Sequence, residues 1–93
     1  MATIKFKAKV QGDGDIRHII VPKFTRSHCD MAAFRKHKRW GGIANSDLFP
    51  NVLARIRRDL VGDGGFIDAN NPPPNVDVDD SGFLAVVTIT VGE

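Results

Sequence analysis

The chain begins and ends with sequences typical of β-strands, and the segments between them have helical spacing. Residues Thr3–Val10 alternate between apolar and mostly lysine side chains, which is the period-two pattern of a strand with one buried face. Residues Phe83–Val91 are rich in β-branched side chains, and both faces of this segment carry apolar residues. Such a strand is usually paired on both sides, so we predict that it is central in its sheet.

The segment after the first strand contains the residues of a tight hairpin. Gly12-Asp13-Gly14-Asp15 consists of the two residue types that tight turns select, and the β-branched segment Ile16–Val21 follows it. Pro22 cannot donate a backbone hydrogen bond to a ladder and therefore ends this second strand. We predict that Thr3–Val10 and Ile16–Val21 pair directly as an antiparallel hairpin.

Two helices are predicted between the strands. The first begins at Ser27, whose hydroxyl can cap the first turn, and it should reach about Arg39 before Gly41-Gly42 ends it. The second covers Leu48–Val61, where apolar side chains recur at helical spacing along one face. Gly62 follows in the usual position of a left-handed C-cap. The second helix has the wider apolar face, so we predict that it is the main core helix.

These elements indicate the fold class. A strand at Val76–Asp79, and a possible extra short strand at Phe66–Asp68, complete the order β-β-α-α-β-β. Residues 1–93 are too few for several domains or a repeat array, so a single domain is predicted. This order is typical of an α+β domain. We expect a small two-layer sandwich in which two helices cover one face of a mostly antiparallel sheet.

The composition excludes several classes of protein. Hydrophobic residues make up 42% of the chain and charged residues 26%, which excludes general disorder. The single cysteine cannot form an internal disulfide, as expected in a reducing compartment, and no apolar run approaches the length of a membrane span. We therefore expect a cytoplasmic protein without membrane association. No cofactor-binding motif is present, and no cofactor is predicted.

Charge is distributed unevenly along the chain, although the net charge is only +2. All 13 Lys and Arg residues lie between Lys5 and Arg58, with four acids among them, so residues 1–58 carry +9. Residues 59–93 contain seven acids and no Lys or Arg. Such a basic segment is a common footprint of proteins that bind anionic partners.

Part of this imbalance has a structural explanation. Lys5, Lys7 and Lys9 share the outer face of the first predicted strand. Asp77 and Asp79 project from the outer face of another strand, and they would neutralise the lysines if the two strands lie side by side. We therefore assign the lysine row to the sheet rather than to a binding site.

The basic residues with the clearest functional pattern lie near the end of the first predicted helix. Four cations occur within five residues and are followed by a tryptophan: Arg35, Lys36, Lys38, Arg39 and Trp40. On a helix, the first, second and fourth of these cations would share one solvent face and could follow a phosphate backbone, while Trp40 could stack on a base. We predict a small non-enzymatic nucleic-acid-binding protein that uses this basic helical surface. Its predicted contact residues are Arg26, Arg35, Lys36, Lys38, Arg39, Trp40, Arg55 and Arg58.

Two other functions remain open from the sequence. The opposite charges of the two segments and the predicted exposed loop Asn70–Pro74 would suit a protein-interaction module, such as a regulator or inhibitor of a larger protein partner. Chains of this size without motifs are frequent in phage and mobile-element genomes, and the two apolar faces of Phe83–Val91 would also suit a homodimer. A small basic ribonuclease of the toxin type is the third hypothesis, with Arg17 and His18 stabilising the phosphate.

Residues that could hold a metal ion or act as a nucleophile have simpler explanations. Asp77–Gly82 has the acids and the glycine of the first half of a calcium-binding loop, but Thr88 stands where a bidentate glutamate is needed. A hairpin turn explains the same residues. Cys29 and His37 lie eight positions apart on the predicted helix, which is too far to share a proton. We expect a buried cysteine and boundary histidines, and we predict no metal site.

Overall fold

The computed structural model describes residues 1–93 and confirms the α+β fold class. In chain order, its elements are β1 (Ala2–Ala8), β2 (Gln11–Asp13), β3 (Ile16–Ile20), α1 (Met31–Arg35), α2 (Phe49–Val61), β4 (Phe66–Asp68), β5 (Val76–Asp79) and β6 (Ala85–Val91). Two 3-10 turns, Arg26–His28 and Gly41–Ile43, precede and follow α1. The strands form two antiparallel sheets of three strands, and one apolar core contains side chains from both sheets and both helices.

The first sheet has the strand order β1-β6-β5, so β6 is central, as its two apolar faces predict. β1 and β6 pair along seven residues each, and Ile4 lies opposite Ile89 while Phe6 lies opposite Val87. All four side chains are buried. The alternation in β1 therefore matches a buried row of equal length in β6, which specifies their register.

The predicted direct pairing of Thr3–Val10 with Ile16–Val21 is wrong. β3 pairs instead with the short β2 across a two-residue turn at Gly14-Asp15, and β1 pairs with β6. The glycines explain this register, because Gly12 and Gly14 have φ angles of 85° and 57°, which residues with a Cβ rarely adopt. Because the tight turn closes directly before β3, the residues just before the turn become its partner strand β2, and β1 pairs with β6.

The lysine row of β1 and the aspartate row of β5 share the outer face of the first sheet, but they are not adjacent. β6 lies between them, and Lys5 and Asp77 each pair with Thr88 from opposite sides. Two strand spacings, together about 10 Å, separate the rows. No ion pair joins them. The expected direct cross-strand neutralisation is therefore absent.

The second sheet has the strand order β2-β3-β4. Ile19 and Ile67 lie opposite each other on its inner face and are buried in the core. Ile16, Ile20 and Phe66 lie on its outer face, where they are 76%, 49% and 52% exposed. One side of this sheet is thus covered by the core, and the other presents an apolar surface to solvent.

The helix α2 agrees with its prediction to within one residue. Pro50 lies in its first turn, where a missing N–H costs little, and Gly62 forms its C-cap with a φ of 59°. Its buried side chains are Phe49, Val52 and Leu53. This apolar face makes α2 the main core helix, as predicted.

The predicted start of the first helix at Ser27 is wrong. The helix α1 begins after Asp30, whose side chain accepts a hydrogen bond from a backbone N–H of the first turn at 3.3 Å. Before it, Cys29 forms an isolated β-bridge with Ile4 at the edge of β1. An extended residue at Cys29 cannot belong to a helix, so pairing with β1 delays the helix by one turn.

The same helix also ends four residues earlier than predicted, at Arg35. His37 is buried, and its Nδ1 accepts hydrogen bonds from the backbone N–H groups of Arg39 and Trp40 at 3.1 and 3.2 Å. A continuing helix would direct these N–H groups to backbone carbonyls one turn earlier. The imidazole therefore replaces the helical partners, and the chain turns at residues 36–40.

Two arginines join elements of the fold. Arg57 of α2 donates hydrogen bonds to the carbonyl oxygens of Val21 and Pro22 at 2.8 and 3.0 Å. Arg17 of β3 forms an ion pair with Asp80, in the loop between β5 and β6. The first contact holds α2 to the segment after β3, and the second joins the two sheets.

Candidate functional site

A cleft of about 250 Å³ lies between α2 and the end of β6. Its apolar lining comes from Ile56 and Leu60 of α2 and from Ile89 and Val91 of β6. Three of the eight predicted contact residues also line it: Arg39, Trp40 and Arg55. Residues from four separate parts of the chain thus meet in one concave surface, which is the usual form of a ligand site.

The turn at residues 36–40 brings Arg39 and Trp40 to the cleft, and His37 holds this turn in place. The ring atom Nδ1 of His37 accepts two backbone N–H groups of the turn, so the proton is assigned to Nε2. Nε2 then donates to the carbonyl oxygen of Gly92 at 2.9 Å. One buried side chain therefore fixes the turn against the segment that follows β6.

Arg39 and Trp40 form a stacked pair at the cleft. The guanidinium carbon of Arg39 lies 4.5 Å from the centroid of the Trp40 ring, within the range of a cation–π contact. Arg39 is exposed and has no acidic partner, whereas Trp40 is half-buried. The pair presents an aromatic surface and an unneutralised cation side by side.

Arg55 enters the cleft from α2. Its Nε lies 3.8 Å from Oδ2 of Asp59, one helical turn later, and the two side chains are 64% and 72% exposed. An ion pair this long and this exposed contributes little, typically about 0.3–0.5 kcal/mol. The guanidinium can therefore leave Asp59 for an incoming anion at small cost.

The predicted shared helical face of Arg35, Lys36 and Arg39 is wrong, because α1 ends at the first of these residues. Lys36 and Lys38 are exposed, and their side chains make no ion pair. Arg58 is also exposed and lies one turn from Arg55 on α2, where residues three apart are surface neighbours. These cations are close in sequence to the residues that line the cleft, but they do not line it themselves.

Arg26 and Arg35 have structural partners. Arg26 donates to the carbonyl oxygen of Ser46 at 2.7 Å, and its guanidinium lies 5.2 Å from the ring centroid of Phe49. Arg35 donates from Nε to Oδ1 of Asn45 at 2.9 Å. Arg26 lines a different depression, next to Pro50, so the structure does not bring it to the cleft.

Several lining residues were not among those predicted from the sequence. Asp59, Pro74 and Asn75 line the cleft together with the predicted residues. The i, i+4 spacing of Arg55 and Asp59 was visible in the sequence and could have indicated their pairing. Pro74 and Asn75 carry no such signal, because the pairing of β5 with β6 places them there.

The residues of the ribonuclease hypothesis lie elsewhere. Arg17 and His18 line a separate depression of about 230 Å³ with Asp15 and Asp68. Arg17 is already paired with Asp80, and two carboxylates in the same depression oppose the binding of a phosphate. This site is therefore a poor candidate for phosphate chemistry.

Cys29 has the environment of a structural residue. Its Sγ donates to the carbonyl oxygen of Thr25 at 3.3 Å. Burial raises the pKa of the thiol to about 11, and the smaller effect of the nearby Arg26 charge opposes this shift. The thiol is thus protonated at neutral pH and is a weak nucleophile.

The acidic loop between β5 and β6 is a hydrogen-bonded turn. The hydroxyl and the backbone N–H of Ser81 donate to Oδ1 of Asp79 at 2.7 and 3.1 Å, and these bonds lower the pKa of Asp79. This pattern is a turn in which the aspartate bonds the backbone two residues later. No three His, Cys, Asp or Glu side chains of the protein come together in a group that could hold a metal ion.

Neither α-helix has the length and apolar composition needed to span a bilayer. No protein-family profile, curated protein or solved structure matches the chain.

Proposed function

We propose that this protein binds nucleic acid at the cleft lined by Arg39, Trp40 and Arg55. The observation that supports this function is the convergence of one arginine without an acidic partner, one weakly paired arginine and an aromatic ring on one concave surface. Guanidinium groups bind phosphate oxygens through two parallel N–H donors, and aromatic rings stack on bases. The cleft therefore offers a partner for each chemical part of a nucleotide.

The surroundings of the cleft support a phosphate backbone that extends beyond it. Lys36, Lys38 and Arg58 are exposed cations near the lining residues in sequence, and none has an ion-pair partner. The lining itself contains one carboxylate, that of Asp59. With few phosphate contacts and one opposing charge, we expect modest affinity that falls steeply as salt increases.

Salt-dependent binding tests this function. The wild-type protein is titrated with labelled duplex DNA, single-stranded DNA and RNA at several salt concentrations. Removing both cations in the variant Arg39→Ala/Arg55→Ala should weaken binding and reduce the slope of log K against log salt by about 1.4–1.8, because each lost phosphate contact removes about 0.7–0.9.

A matched control removes the same charge elsewhere. The variant Lys9→Ala/Lys23→Ala lacks two cations that do not line the cleft, and Lys9 lies near Phe83 at the opposite end of β6. Its slope should stay close to that of the wild type. If the wild-type protein binds none of the three nucleic acids at low salt, the proposed function is wrong.

A second candidate function rests on a different surface. The exposed Ile16, Ile20 and Phe66 form an apolar patch on the outer face of the second sheet. Asp15 and Asp68 line a depression in the same patch. Two copies of this face would oppose like charges, so we infer that a basic, apolar segment of another protein is the better occupant.

A peptide pair tests this second function. A synthetic peptide of alternating lysine and valine should bind the wild-type protein, and a matched peptide of glutamate and valine should not. Phe66→Ser should reduce the binding of the first peptide by about tenfold or more, as expected when a central apolar contact is lost. Equal binding to the Phe66→Ser variant, or a stable homodimer held by this face, would exclude the assignment.

A further inference from the structure

The shape of the cleft bears on the kind of nucleic acid that it could accept. It is a depression between a helix and the end of a strand, and Trp40 is half-buried in its lining. Proteins that read duplex DNA usually insert a helix or a β-ribbon into a groove. A half-buried ring inside a depression cannot enter the groove of a duplex. The faces of paired bases are also covered by their neighbours in the stack.

We propose that the cleft binds single-stranded nucleic acid by accepting one unpaired base, and this proposal rests on the proposed function. An unpaired base can leave its strand and stack on an aromatic ring or on a guanidinium plane. Arg39 lies above Trp40, so a base stacks either on the guanidinium or on the ring after displacing it. Ile56 and Leu60 form the apolar wall on the α2 side.

The cleft also contains a group that can contact the edge of a base. Asn75 lines it, and the side-chain amide of Asn75 makes no hydrogen bond within the protein. Its backbone carbonyl accepts the N–H of Thr90 at 2.8 Å, which holds the residue against β6. The exposed side-chain amide of Asn75 offers one acceptor and two donors to the hydrogen-bonding edge of a base.

The phosphates that flank the inserted base have two possible partners. Arg55 is held only by its long contact with Asp59, and Arg39 has no acidic partner. These cations enter the cleft from different parts of the chain, one from α2 and one from the turn at residues 36–40. A strand that inserts a base between them can place a phosphate near each guanidinium.

Trp40 provides a direct measurement, because it is the only tryptophan and the chain contains no tyrosine. The full-length protein is titrated with an oligothymidylate of about 12 nucleotides, a DNA duplex of similar length, and an abasic strand with the same number of phosphates. An oligouridylate of equal length compares RNA with DNA. Trp40 emission and the anisotropy of a labelled strand are recorded in the same titrations.

We expect the oligothymidylate or the oligouridylate to bind with a saturable change in Trp40 emission. The duplex should bind about 10–100-fold more weakly, because a base must first leave the stack. The abasic strand should lose about 5–100-fold in affinity, because it keeps the phosphates and lacks the stacking surface. This comparison changes only the ligand, so it does not depend on whether a variant folds.

Two variants test which side chains of the protein recognise the base. Trp40→Ala should reduce the affinity for the oligothymidylate but leave the weak binding of the abasic strand unchanged. Asn75 has a φ of 66°, a left-handed conformation that glycine adopts without strain, so Asn75→Gly should largely preserve the thermal melting curve. It should reduce the ratio of the affinities for the oligothymidylate and the abasic strand by about two- to tenfold. If duplex, abasic strand and oligothymidylate bind equally, the single-strand assignment is wrong while the proposed function stands. If none binds, the proposed function itself fails.

Discussion

The predicted contact residues that line the cleft come from two regions that fold for different reasons. Arg55 belongs to α2, a regular helix of 13 residues. Arg39 and Trp40 belong to residues 26–44, which we call the connecting segment and which contains the five-residue α1 between two 3-10 turns. Both regions contribute cations to the same surface, but only α2 has the regular structure that a repeating apolar pattern specifies.

Side chains hold the two regions by different contacts. α2 buries Phe49, Val52 and Leu53 in the core, so its position depends mainly on apolar area. The connecting segment buries Phe34, which packs edge-to-face on Phe49 with ring centroids 5.2 Å apart. Its remaining shape depends on polar side chains that bond distant backbone groups, above all His37.

This difference shows how a small domain can position a site on irregular backbone. Backbone N–H and C=O groups that leave a helix must find other partners, since burying them unpaired costs free energy. For the N–H groups of Arg39 and Trp40 this partner is one side chain, that of His37. The structure of the turn at residues 36–40 should therefore be sensitive to one substitution in a way that α2 is not.

The largest expected effect is that of His37→Ala. The substitution removes the acceptor of two N–H groups and the donor to the carbonyl oxygen of Gly92, and it leaves a cavity. We expect the free energy of unfolding to fall by about 2–4 kcal/mol. Chemical denaturation measures this change, and the affinity for nucleic acid should fall as the turn loses its fixed geometry.

His18→Ala is the matched control for this prediction. His18 is half-exposed on the second sheet, where it packs against the ring of Phe66 and makes no hydrogen bond through its side chain. We expect a loss below about 1 kcal/mol. Equal losses for the two histidine variants would contradict the special role given to His37.

The next effect tests whether α2 also depends on a polar contact. Arg57→Ala removes hydrogen bonds to the carbonyl oxygens of Val21 and Pro22. We expect a loss of about 2 kcal/mol in the free energy of unfolding, because bonds from a charged donor to half-buried carbonyls are lost. Circular dichroism of the folded variant should still show α2, since its apolar face is intact.

Arg58→Ala is the control within the same helix. Arg58 is exposed and has no ion-pair partner, so its removal should change the free energy of unfolding by less than about 0.5 kcal/mol. If both arginine variants lose the same stability, the contact of Arg57 with the backbone is not what holds α2 in place.

The same contrast explains which features could be predicted from the sequence. α2 and the central position of β6 follow from patterns within each segment, so both predictions are confirmed. The start of α1 depends on the β-bridge between Ile4 and Cys29, residues far apart in sequence, and its end depends on the bonds that the His37 ring accepts from Arg39 and Trp40. No local period contains this information.

The candidate site was predictable in part for the same reason. Arg39, Trp40 and Arg55 could be identified as candidates from their residue types and from the cluster of charge. Their meeting in one cleft could not, since it requires the turn held by His37 and the placement of α2 beside β6. The expected helical surface is replaced by a concave one, and the proposed preference for an unpaired base rests on this change.

A third prediction concerns the close packing at the end of the connecting segment. A Cβ built on Gly41 would lie 2.7 Å from the carbonyl oxygen of Arg35, whereas a Cβ on Gly42 would meet nothing within 4 Å. Gly41→Ala should therefore cost about 1–2 kcal/mol, as the backbone shifts to relieve the overlap. Thermal melting of the two alanine variants provides the measurement.

Gly42→Ala is its control and should be neutral or stabilising by up to about 1 kcal/mol, because alanine restricts the unfolded chain. Trp40 precedes Gly41, so the shift should also change the emission of the free protein in the Gly41 variant. If the two variants melt at the same temperature, the turn tolerates movement, and the view of the connecting segment as rigidly held would be wrong.

The smallest expected effect lies where the two regions meet. Asp59→Asn removes the carboxylate that pairs weakly with Arg55, and the stability lost should be about 0.3–0.5 kcal/mol. Nucleic-acid affinity should rise by about two- to fivefold at low salt, because the only acid in the cleft lining is gone. Asp63→Asn removes the same charge from an exposed position outside the lining and should raise affinity less. A gain of the same size in both variants would show that net charge, rather than the cleft formed by α2 and the connecting segment, determines binding.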